Sequence, residues 1–590
     1  GAIWDDGRLT ARLWAPRAAR VELLLDSQAL SMTALPEGYW TVTTPARAGI
    51  AYRLRIDGAD MPDPASRRQA GGVHDPSLAE PVPDHDWQHP WAGRDWAEAV
   101  IYELHVGTFT PEGTLAAAAS RLRHLADLGF TAIELMPLNQ FPGDRGWGYD
   151  GVLPFALHPA YGAPADLCRF VDMAHGAGLM VILDLVMNHF GPDGAYIHQA
   201  APDFFDPDRH TPWGAAIDFS KAPVRAFWTE CAEYWLRTFR LDGFRLDAVH
   251  QITGPGATDF LDAFAGHLRQ AAPDRPIHLI TEDERNLPDL RERHGYDASW
   301  NDDFHHAVHT ALTGESDGYY ASFAHDPIGD LALALARGHI EEGQPRPGLD
   351  HPRGQPCGHL PATAFVNAIQ THDQVGNRPH GERLASLADP QGVAVAYALL
   401  LVAPYIPMVF MGEERGETAP FLFFADFQGD LARAVREGRA AAERGDMIAA
   451  YHRRLFSGDR EVETRAALGW TAWENALAAM DNPCPGVPPP AYARAFARLE
   501  NHYFTNRCFL DEGQLLRDRH RIEHLPAVIV QGRYDMVCPP LSAWRLAEGW
   551  DRCELRLVPA SGHALSEPRI TAELVQVMDG IRDAGGARSL

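Results

Sequence analysis

From about residue 99 to about residue 440, strand-like runs alternate with amphipathic helical stretches, and this rhythm constrains the fold more than any other feature. Two of the helical stretches are Ala222–Arg240 and Leu115–Gly129, whose apolar stripe ends at Leu128. Eight strands in this alternation predict a (β/α)8 TIM barrel, which we bound at residues 91–442. The predicted strands are Ala99–Val106, Thr131–Leu138, Leu179–His189, Leu241–Val249, Ile277–Asp283, Ala298–Phe304, Phe365–Asp373 and Pro407–Glu414.

The pattern changes on both sides of this region. Residues 1–90 alternate in short strand-like runs separated by Pro- and Gly-rich turns, which is typical of a small β-sandwich. Residues 72–98 are rich in Pro, Asp and Trp and are predicted to be a linker. Residues 443–590 are predicted to be helical to about 524 and then to form two parallel strands, Ala527–Gln531 and Glu554–Val558. The predicted fold class is therefore α/β, with an N-terminal β-sandwich, a TIM barrel and a C-terminal segment of helices and strands.

Composition limits the partners and the location. The formal net charge of −27 argues against a nucleic-acid partner, because phosphate binding needs a basic field. The seven cysteines are scattered without a Cys-x-x-Cys pair, which predicts a cytoplasmic location and no structural zinc. We expect no signal peptide, because the start of the chain, Gly1–Asp6, has no basic region and no apolar region. We also expect no membrane span, because Pro404 and Pro407 interrupt the uncharged run Val393–Met411. A buried helix followed by a buried strand explains this run better than a membrane span does. The sequence leaves the oligomeric state open.

Three predicted strand ends carry the candidate catalytic residues Asp247, Glu282 and Asp373. Strand side chains alternate, so Arg245 lies on the same face as Asp247 and is expected to keep it ionised and oriented. Hydrolysis of a glycosidic bond with retention needs an ionised carboxylate as nucleophile and a protonated carboxylic acid for the leaving oxygen. Asp247 suits the first role, and Glu282 on the neighbouring strand suits the second.

Further polar residues accompany these carboxylates. Asp184 lies inside a predicted strand and is interpreted as structural, with Asn188 and His189 nearer the pocket. Asp373, His189 and His372 are expected to bind sugar hydroxyls and to favour a distorted, oxocarbenium-like ring. A single acidic residue at a strand end could equally cap the following helix. The hypothesis of a glycosidase site therefore depends on four such regions occurring in order along the chain, each at a strand end. Because both half-reactions are carboxylate chemistry, we expect no cofactor and no metal.

Four segments resemble the signature segments of the α-amylase family of glycoside hydrolases, and the resemblance covers residue 1 to about 440. It implies that Asp247 is the nucleophile, Glu282 the general acid/base and Asp373 the transition-state stabiliser, and that the N-terminal sandwich is of a carbohydrate-binding type. Arg245, His189 and His372 would support these residues and bind substrate. The four segments are Asp184–His189, Gly243–His250, Ile280–Asp283 and Thr371–Asn377.

Within the family, the chain most resembles the hydrolases that cleave the α-1,4 bond next to the terminal trehalose of maltooligosyltrehalose. Tyr149 would be the aromatic platform for the reacting glucose, and Asp150 beside it would also bind substrate. Branching of a 1,4-α-glucan is an alternative, because branching enzymes share several of these segments. The run Asp150–Val152 and the Asp-Gln-Val-Gly-Asn run favour the hydrolase. The segments are Tyr102–Phe109, Glu134–Gly143, Trp147–Val152, Asp373–Arg378, Met411–Glu414 and Ala419–Phe424.

From about Arg444 the chain resembles the C-terminal part of the proline iminopeptidases, which have the α/β-hydrolase fold. The resemblance implies that Asp535 and His563 are the acid and base of a triad and that Glu474 and Glu500 receive the amino terminus of a substrate. The two resemblances predict a fusion or chimera with a junction near residues 438–446. The segments are Ala450–Leu455, Trp470–Glu474, Glu500–Phe504, Gln531–Asp535 and Ser561–His563.

The tail lacks the nucleophile that such a triad needs. A Gly-x-Ser-x-Gly elbow should precede Asp535 and His563 within the same domain, and residues 443–563 contain none. A His/Asp pair without its serine cannot form an acyl-enzyme, so we predict no peptidase activity and leave a serine peptidase as a disfavoured alternative. We also expect the two strands of the tail to expose apolar edges. An inactive chain is a further alternative, because the tail replaces the last barrel helix and a β-domain.

Overall fold

The chain divides into two compact units, Gly1–Arg433 and Ala434–Leu590, which we name the barrel unit and the tail unit. The structure is a computed structural model. It describes residues 1–293, 295–429, 431–433, 435, 447–478, 489–511, 513–535, 538–564 and 567–583, with the backbone alone at residues 447, 449, 450, 461 and 472–478.

The barrel unit begins with the predicted β-sandwich. One antiparallel sheet has the order β1-β2-β6-β5, and the other has the order β4-β3-β7-β8 with β9 paired to β7. Every second side chain of β7 is buried, so the two sheets enclose an apolar core. β9 lies inside residues 72–98, so the linker prediction is wrong at this strand, which is too short for a sequence pattern. The strands are β1 (Ala2–Asp5), β2 (Arg8–Trp14), β3 (Val21–Leu25), β4 (Gln28–Ser31), β5 (Thr33–Ala34), β6 (Tyr39–Pro45), β7 (Ile50–Ile56), β8 (Ala59–Met61) and β9 (Ser77–Ala79).

Eight parallel strands form a closed barrel, in which the last strand pairs back with the first. Each of the eight predicted strands is confirmed, although several predictions ran past the end of the strand. The barrel strands are β10 (Ile101–Leu104), β11 (Ala132–Leu135), β14 (Met180–Leu185), β17 (Gly243–Leu246), β18 (His278–Thr281), β19 (Ala298–Trp300), β20 (Phe365–Ala368) and β21 (Ile406–Phe410). Two hairpins, β12 (Asn139–Gln140) with β13 (Leu153–Leu157) and β15 (Phe205–Thr211) with β16 (Gly214–Ile217), leave the barrel.

Helices surround this barrel, and two predictions about them need correction. The stretch predicted over Leu115–Gly129 is two helices, and Leu128 is 51% exposed instead of lying on the buried stripe. The run Val393–Met411 is a helix followed by a strand, as predicted, but the helix buries one side only and Val402 is 78% exposed. The helices are Val106–Phe109, Leu115–Ala119, Leu122–Leu128, Pro164–Gly176, Ile197–Ala200, Ala222–Thr238, Ala257–Ala271, Asp289–Arg293, Asp302–Thr313, Pro327–Arg337, His372–Gly376, Leu384–Leu387 and Pro390–Val402. No helix among the described residues is long and apolar enough to span a membrane.

The inside of the barrel is layered. Its lower part is apolar and includes Ile101, Ala132, Ile182 and Ile280. Because side chains alternate along a strand, the residue two positions further along each of these strands faces inward as well. These residues are Glu103, Glu134, Asp184 and Glu282, and a charged layer therefore lies above the apolar one, at the C-terminal end of the barrel.

The tail unit contains a small helical cluster and a two-stranded sheet. The helices enclose a core that includes Leu455, Trp470 and Ala497. β22 (Ala527–Gly532) and β23 (Cys553–Val558) are parallel, as predicted, but all except one side chain of each strand are half-buried or exposed. By contrast, all six side chains of the barrel strand β14 are buried, so the side chains of the tail strands are less covered than those of a barrel strand. The helices are Met447–Leu455, Arg460–Ala478, Pro490–Thr505, Gln514–Arg517, Pro540–Ala547 and Pro568–Asp583.

Candidate active site

A cavity of about 450 Å³ opens at the C-terminal ends of the barrel strands. Its lining includes six of the residues that the sequence analysis singled out, although they come from five separate parts of the chain. Arg245 lies beneath its floor and is fully buried. The six are Tyr149, His189, Asp247, Glu282, His372 and Asp373.

Arg245 connects the carboxyl groups below and beside the cavity. Its Nη1 donates to Asp184 Oδ2 at 2.7 Å and to Asp247 Oδ1 at 2.9 Å, and its Nη2 donates to Glu282 Oε2 at 2.6 Å. The guanidinium also lies over the ring of Trp300, 4.2 Å from its centre. One buried cation therefore fixes the nucleophile and acid candidates relative to each other.

The backbone around β17 explains this placement. A Cβ on Gly243 would lie 1.9 Å from His278 O, so only glycine lets β17 approach β18 this closely. After Asp247 the chain turns through Ala248, which has a positive φ of 41°. The N–H of Ala248 donates to Glu282 Oε2 at 3.0 Å. The strand end thus positions its own carboxylate and binds that of the neighbouring strand.

The two carboxyl groups on Arg245 have opposite electrostatic environments. Burial opposes ionisation of Asp247, but Arg245, His189 and a hydrogen bond from Asn188 outweigh it and lower the pKa of Asp247. Burial raises the pKa of Glu282 well above its usual value, and the like charge of Asp247 adds to this although Arg245 opposes it. Asp247 is therefore ionised where Glu282 retains a proton.

Asn188 and His189 support the nucleophile candidate from the end of β14. Asn188 Nδ2 donates to Asp247 Oδ2 at 2.8 Å and to the Asp247 carbonyl at 2.8 Å. His189 contacts Asn188 Oδ1 through Nδ1 and the carbonyl of Tyr149 through Nε2 at 3.0 Å. Burial lowers the pKa of His189, so this imidazole is neutral near pH 7. The ring of Trp213 stacks on it with centroids 4.6 Å apart.

Tyr149 and Asp184 join the floor of the cavity to its wall. The Tyr149 hydroxyl donates to Asp184 Oδ2, the oxygen that also binds Arg245. The Tyr149 ring stacks on His372 with centroids 5.1 Å apart. Asp184 is buried below the cavity, where burial raises its pKa to about 6, and it holds Arg245 without lining the pocket.

Asp373 lies in the first turn of the helix His372–Gly376, which begins four positions after β20 ends. Its backbone N–H donates to Thr371 Oγ1 at 3.2 Å, and the Gln374 side chain accepts from the Thr371 N–H at 3.0 Å. This capping box fixes the start of the helix. His372 Nε2 lies 3.5 Å from Asp373 Oδ1.

Asp150 lies outside the cavity lining, whereas several residues that sequence reasoning missed belong to it. Asp150 does not line the cavity, and burial raises the pKa of its carboxyl to about 6. Asp302 does line it, with a pKa raised to about 6 by burial and then by the charge of Asp373. Asp302 is the first residue of the helix that begins two positions after β19 ends, which a correct strand end would have revealed. Trp213, in the turn of the β15/β16 hairpin, carried no sequence signal. The further lining residues that were missed include Trp213, Asp302, His306, Tyr319 and Arg353.

In the tail unit, the predicted acid and base meet. His563 Nδ1 lies 2.9 Å from Asp535 Oδ2, and Asp535 also accepts from the Cys538 N–H at 2.8 Å. Glu500 accepts from the Trp470 indole N–H at 2.7 Å. The side chain of Glu474 lies outside the described residues.

A Gly-x-Ser-x-Gly sequence, the pattern of a nucleophile elbow, occurs once in the chain, at Gly314–Gly318 in the barrel unit. This segment follows the helix Asp302–Thr313 and has no strand before it, so it is not a strand-turn-helix elbow. Ser316 is exposed there, and Glu315 pairs with Arg378 at 2.7 Å.

No group of three or more His, Cys, Asp or Glu side chains in the described part of the chain is arranged to hold a metal ion.

Comparisons with known proteins define the class. Residues 94–213 match the family described as the alpha amylase catalytic domain. A solved structure described as a putative alpha amylase from Salmonella typhimurium matches with a TM-score of 0.74 and 42% identity, over 88% of this chain and 86% of that one. With the closed barrel and its carboxylate site, these similarities place the chain in the α-amylase class of glycoside hydrolases.

A second relative narrows the assignment to a family within this class. The malto-oligosyltrehalose trehalohydrolase of Saccharolobus solfataricus is 43% identical over 449 residues, which cover 74% of this chain and 78% of that protein. The chain belongs to the malto-oligosyltrehalose trehalohydrolase family. A proline iminopeptidase of Xanthomonas citri is 46% identical over 201 residues, which cover 33% of this chain and 62% of that protein. The second similarity agrees with the predicted resemblance of the tail.

Proposed function

We propose that the protein hydrolyses, with retention, the α-1,4 bond next to the terminal trehalose of maltooligosyltrehalose and releases trehalose and a shortened maltodextrin. The observation that carries the proposal is Arg245, which binds both Asp247 and Glu282 while their pKa values are shifted in opposite directions. Retaining hydrolysis needs such a pair, one carboxyl ionised and one protonated. The printed name of the Saccharolobus solfataricus relative supports the choice of substrate.

In the first half-reaction, Asp247 Oδ attacks the anomeric carbon of the glucose that precedes the trehalose unit. Glu282 donates its proton to the glycosidic oxygen as the bond to trehalose breaks. Trehalose leaves with that proton, and the maltodextrin remains as an ester on Asp247. Arg245 offsets the change of charge at both carboxyl groups, because it donates to each of them.

In the second half-reaction, the ionised Glu282 takes a proton from water, and the water oxygen attacks the anomeric carbon. Asp247 leaves as a carboxylate and Glu282 is again protonated, so atoms and charge balance over the cycle. Asp373, His189 and His372 line the same cavity and supply hydrogen-bonding groups for the sugar hydroxyls. Bonds that tighten on the distorted ring lower the barrier further.

We also propose that the protein acts in the cytoplasm, on neutral α-glucans. Three of the cysteines in the described part, Cys168, Cys231 and Cys357, are buried and free, which is typical of proteins from a reducing compartment. The cavity has carboxylates and aromatic rings, which suit a polyhydroxyl ligand better than an anion.

Incubation with maltotriosyltrehalose tests the proposal and its alternative. We expect equimolar trehalose and maltotriose by ion-exchange chromatography. Loss of iodine staining on amylose without any trehalose release would instead support the branching enzyme. A folded protein that produces neither change would contradict both and support an inactive fusion.

A further inference from the structure

Glu103 is a buried acidic residue of the Tyr102–Phe109 segment to which the proposed mechanism gives no role. It lies on β10 and is 1% exposed. Both of its oxygens bind one residue, His372, which is 269 positions away. Oε1 contacts His372 Nδ1, and Oε2 accepts from the His372 backbone N–H at 3.3 Å. The carboxylate therefore fixes the ring and the backbone of His372 together.

The other side of the His372 ring faces Asp373. Its Nε2 lies 3.5 Å from Asp373 Oδ1, and His372 lines the cavity although it is only 1% exposed. Tyr149 stacks on one face of the ring, and Trp147 packs edge-on with centroids 5.2 Å apart. The imidazole is thus clamped in one orientation, with one nitrogen on Glu103 and the other toward the carboxylate proposed to stabilise the transition state.

We infer that Glu103 is a positioning residue, which holds His372 in its charged form with the Nε2–H directed at Asp373 and the sugar. This inference rests on the proposed function, in which Asp373 and His372 bind the reacting glucose. An orienting carboxylate behind a histidine acts in the same way in other active sites, where it sets the tautomer and stabilises the imidazolium. Glu103 does not itself line the cavity, and its side-chain contact with the cavity lining is through His372.

The charges around His372 also support the inference that Glu103 acts on this residue. Burial opposes the charged form of His372, but Asp373 and then Glu103 outweigh it and raise the pKa of His372 to about 9. Arg245 opposes the charge on His372, because it is a nearby cation. Burial lowers the pKa of His105 to about 4, so this neighbouring imidazole is neutral in the pH range in which His372 titrates. The titratable groups around His372 are Glu103, Glu134, Asp373, Arg245, His105 and Tyr149.

Glu134 provides a matched control. It pairs in register with Glu103 on the adjacent strand and is equally buried, at 1% exposure. Its Oε2 has no hydrogen-bond partner in the described part of the chain. Burial, and then the charge of Glu103, raises its pKa well above the usual value, so it is neutral. Glu134→Gln therefore removes an acid of the same burial and depth without removing a charge from His372.

The test is the titration of His372 in the full-length protein, followed by NMR with 13C-labelled histidine and assigned with His372→Asn. The parent should titrate at about 9. Glu103→Gln should lower the midpoint below about 8, because the loss of one close opposite charge is worth about one pKa unit or more. Glu134→Gln should leave it near the parent value. A midpoint that stays near 9 in Glu103→Gln, or that falls equally in Glu134→Gln, would overturn the inference.

Kinetics with maltotriosyltrehalose add a second measurement. Glu103→Gln should lower kcat by about 10²-fold with little change in KM, less than the ~10⁴-fold cost of a lost orienting carboxylate in a Ser-His-Asp triad. Glu103→Asp keeps the negative charge, so His372 should titrate near 9 in this variant. This second variant keeps the inference testable if Glu103→Gln does not fold. A parent without trehalose release contradicts the proposed function, whereas the titration still decides the role of Glu103. A His372 midpoint below about 8 in Glu103→Asp, as expected when the charge is lost, would count against the role of Glu103.

Discussion

The barrel unit and the tail unit each place a histidine beside a carboxylate, and they differ in what surrounds that pair. In the barrel unit, His372 is 1% exposed and lies between Glu103 and Asp373, close to two further carboxyl groups joined by Arg245. In the tail unit, His563 is bound to Asp535 at 2.9 Å, but its side chain is 42% exposed. A pair of groups can orient a proton, whereas a reaction also needs a nucleophile and a closed pocket.

The largest expected effect on the rate of trehalose release comes from an Asp→Asn substitution in the barrel unit, and the same substitution in the tail unit is its control. Asp247→Asn should lower trehalose release by more than about 10⁴-fold, because it removes the proposed nucleophile. Asp535→Asn is the same change beside the histidine of the tail unit and should leave the rate unchanged. Chromatographic assay of trehalose from both variants checks this. Near-parental activity in Asp247→Asn would refute the assignment of the nucleophile.

Glu282→Gln should have a smaller and substrate-dependent effect. With maltotriosyltrehalose, kcat/KM, which reports the first half-reaction alone, should fall by about 10²- to 10⁴-fold, because the leaving oxygen no longer receives a proton. With an α-maltosyl fluoride, whose leaving group needs no proton, the loss should be much smaller. Initial rates at concentrations well below KM give kcat/KM for the two substrates. Equal losses on both would mean that Glu282 is not the acid.

The pH dependence should follow the two shifts in the barrel unit. The pKa of Asp247 is lowered from 3.8, so the nucleophile is lost only as the pH falls through that lowered value. The pKa of Glu282 is raised above 4.5, so the acid is lost as the pH rises through its raised value. The profile of kcat/KM should therefore be a bell whose alkaline limb lies well above pH 4.5, with about a tenfold fall per pH unit on that limb. Asp535→Asn should show the same profile. An alkaline limb near pH 4.5 would contradict the raised pKa of Glu282.

Stability should also distinguish the units. The tail strands β22 and β23 are half-exposed, whereas the barrel strands are buried, so the tail unit has less buried apolar surface to hold it folded. Calorimetry should resolve a first transition at least about 4 °C below the second, as expected for a difference of about 1 kcal/mol or more. Trehalose release should survive the first transition. Loss of activity at the lower midpoint would show that the barrel unit depends on the tail unit.

The smallest expected effect is none at all. The full-length protein should not hydrolyse proline p-nitroanilide above the rate of buffer, because Asp535 and His563 have no serine elbow before them in the tail. His563→Ala should give the same trace as the parent. Hydrolysis that disappears in His563→Ala would reveal a nucleophile that we have not recognised.

Sequence reasoning predicted the barrel because its strands are continuous apolar runs, such as Met180–Leu185, and because polar groups follow their ends. It found Asp247 and Glu282 for the same reason. It missed Asp302 because the predicted strand Ala298–Phe304 ran past the real end at Trp300, which hid the first residue of the next helix. Strand ends depend on pairing with distant neighbours, which local pattern does not contain.

Two other features were beyond the sequence for similar reasons. Trp213 reaches the cavity because a hairpin folds over it, and neither the hairpin nor its direction has a local signature. The partnership of Glu103 with His372 joins β10 to the end of β20, and it follows from closure of the barrel. Residues that belong to one strand end were predictable, whereas contacts between distant strands needed the structure.

The central claim is that Asp247 and Glu282, both held by Arg245, carry out a double displacement. The most direct measurement is the anomeric form of the maltotriose released from maltotriosyltrehalose, followed by 1H NMR in the first minutes. The account predicts that the α-anomer forms first and that the β-anomer rises only by mutarotation. A first-formed β-anomer would mean single displacement by water, and it would contradict the assignment of Asp247 as the nucleophile.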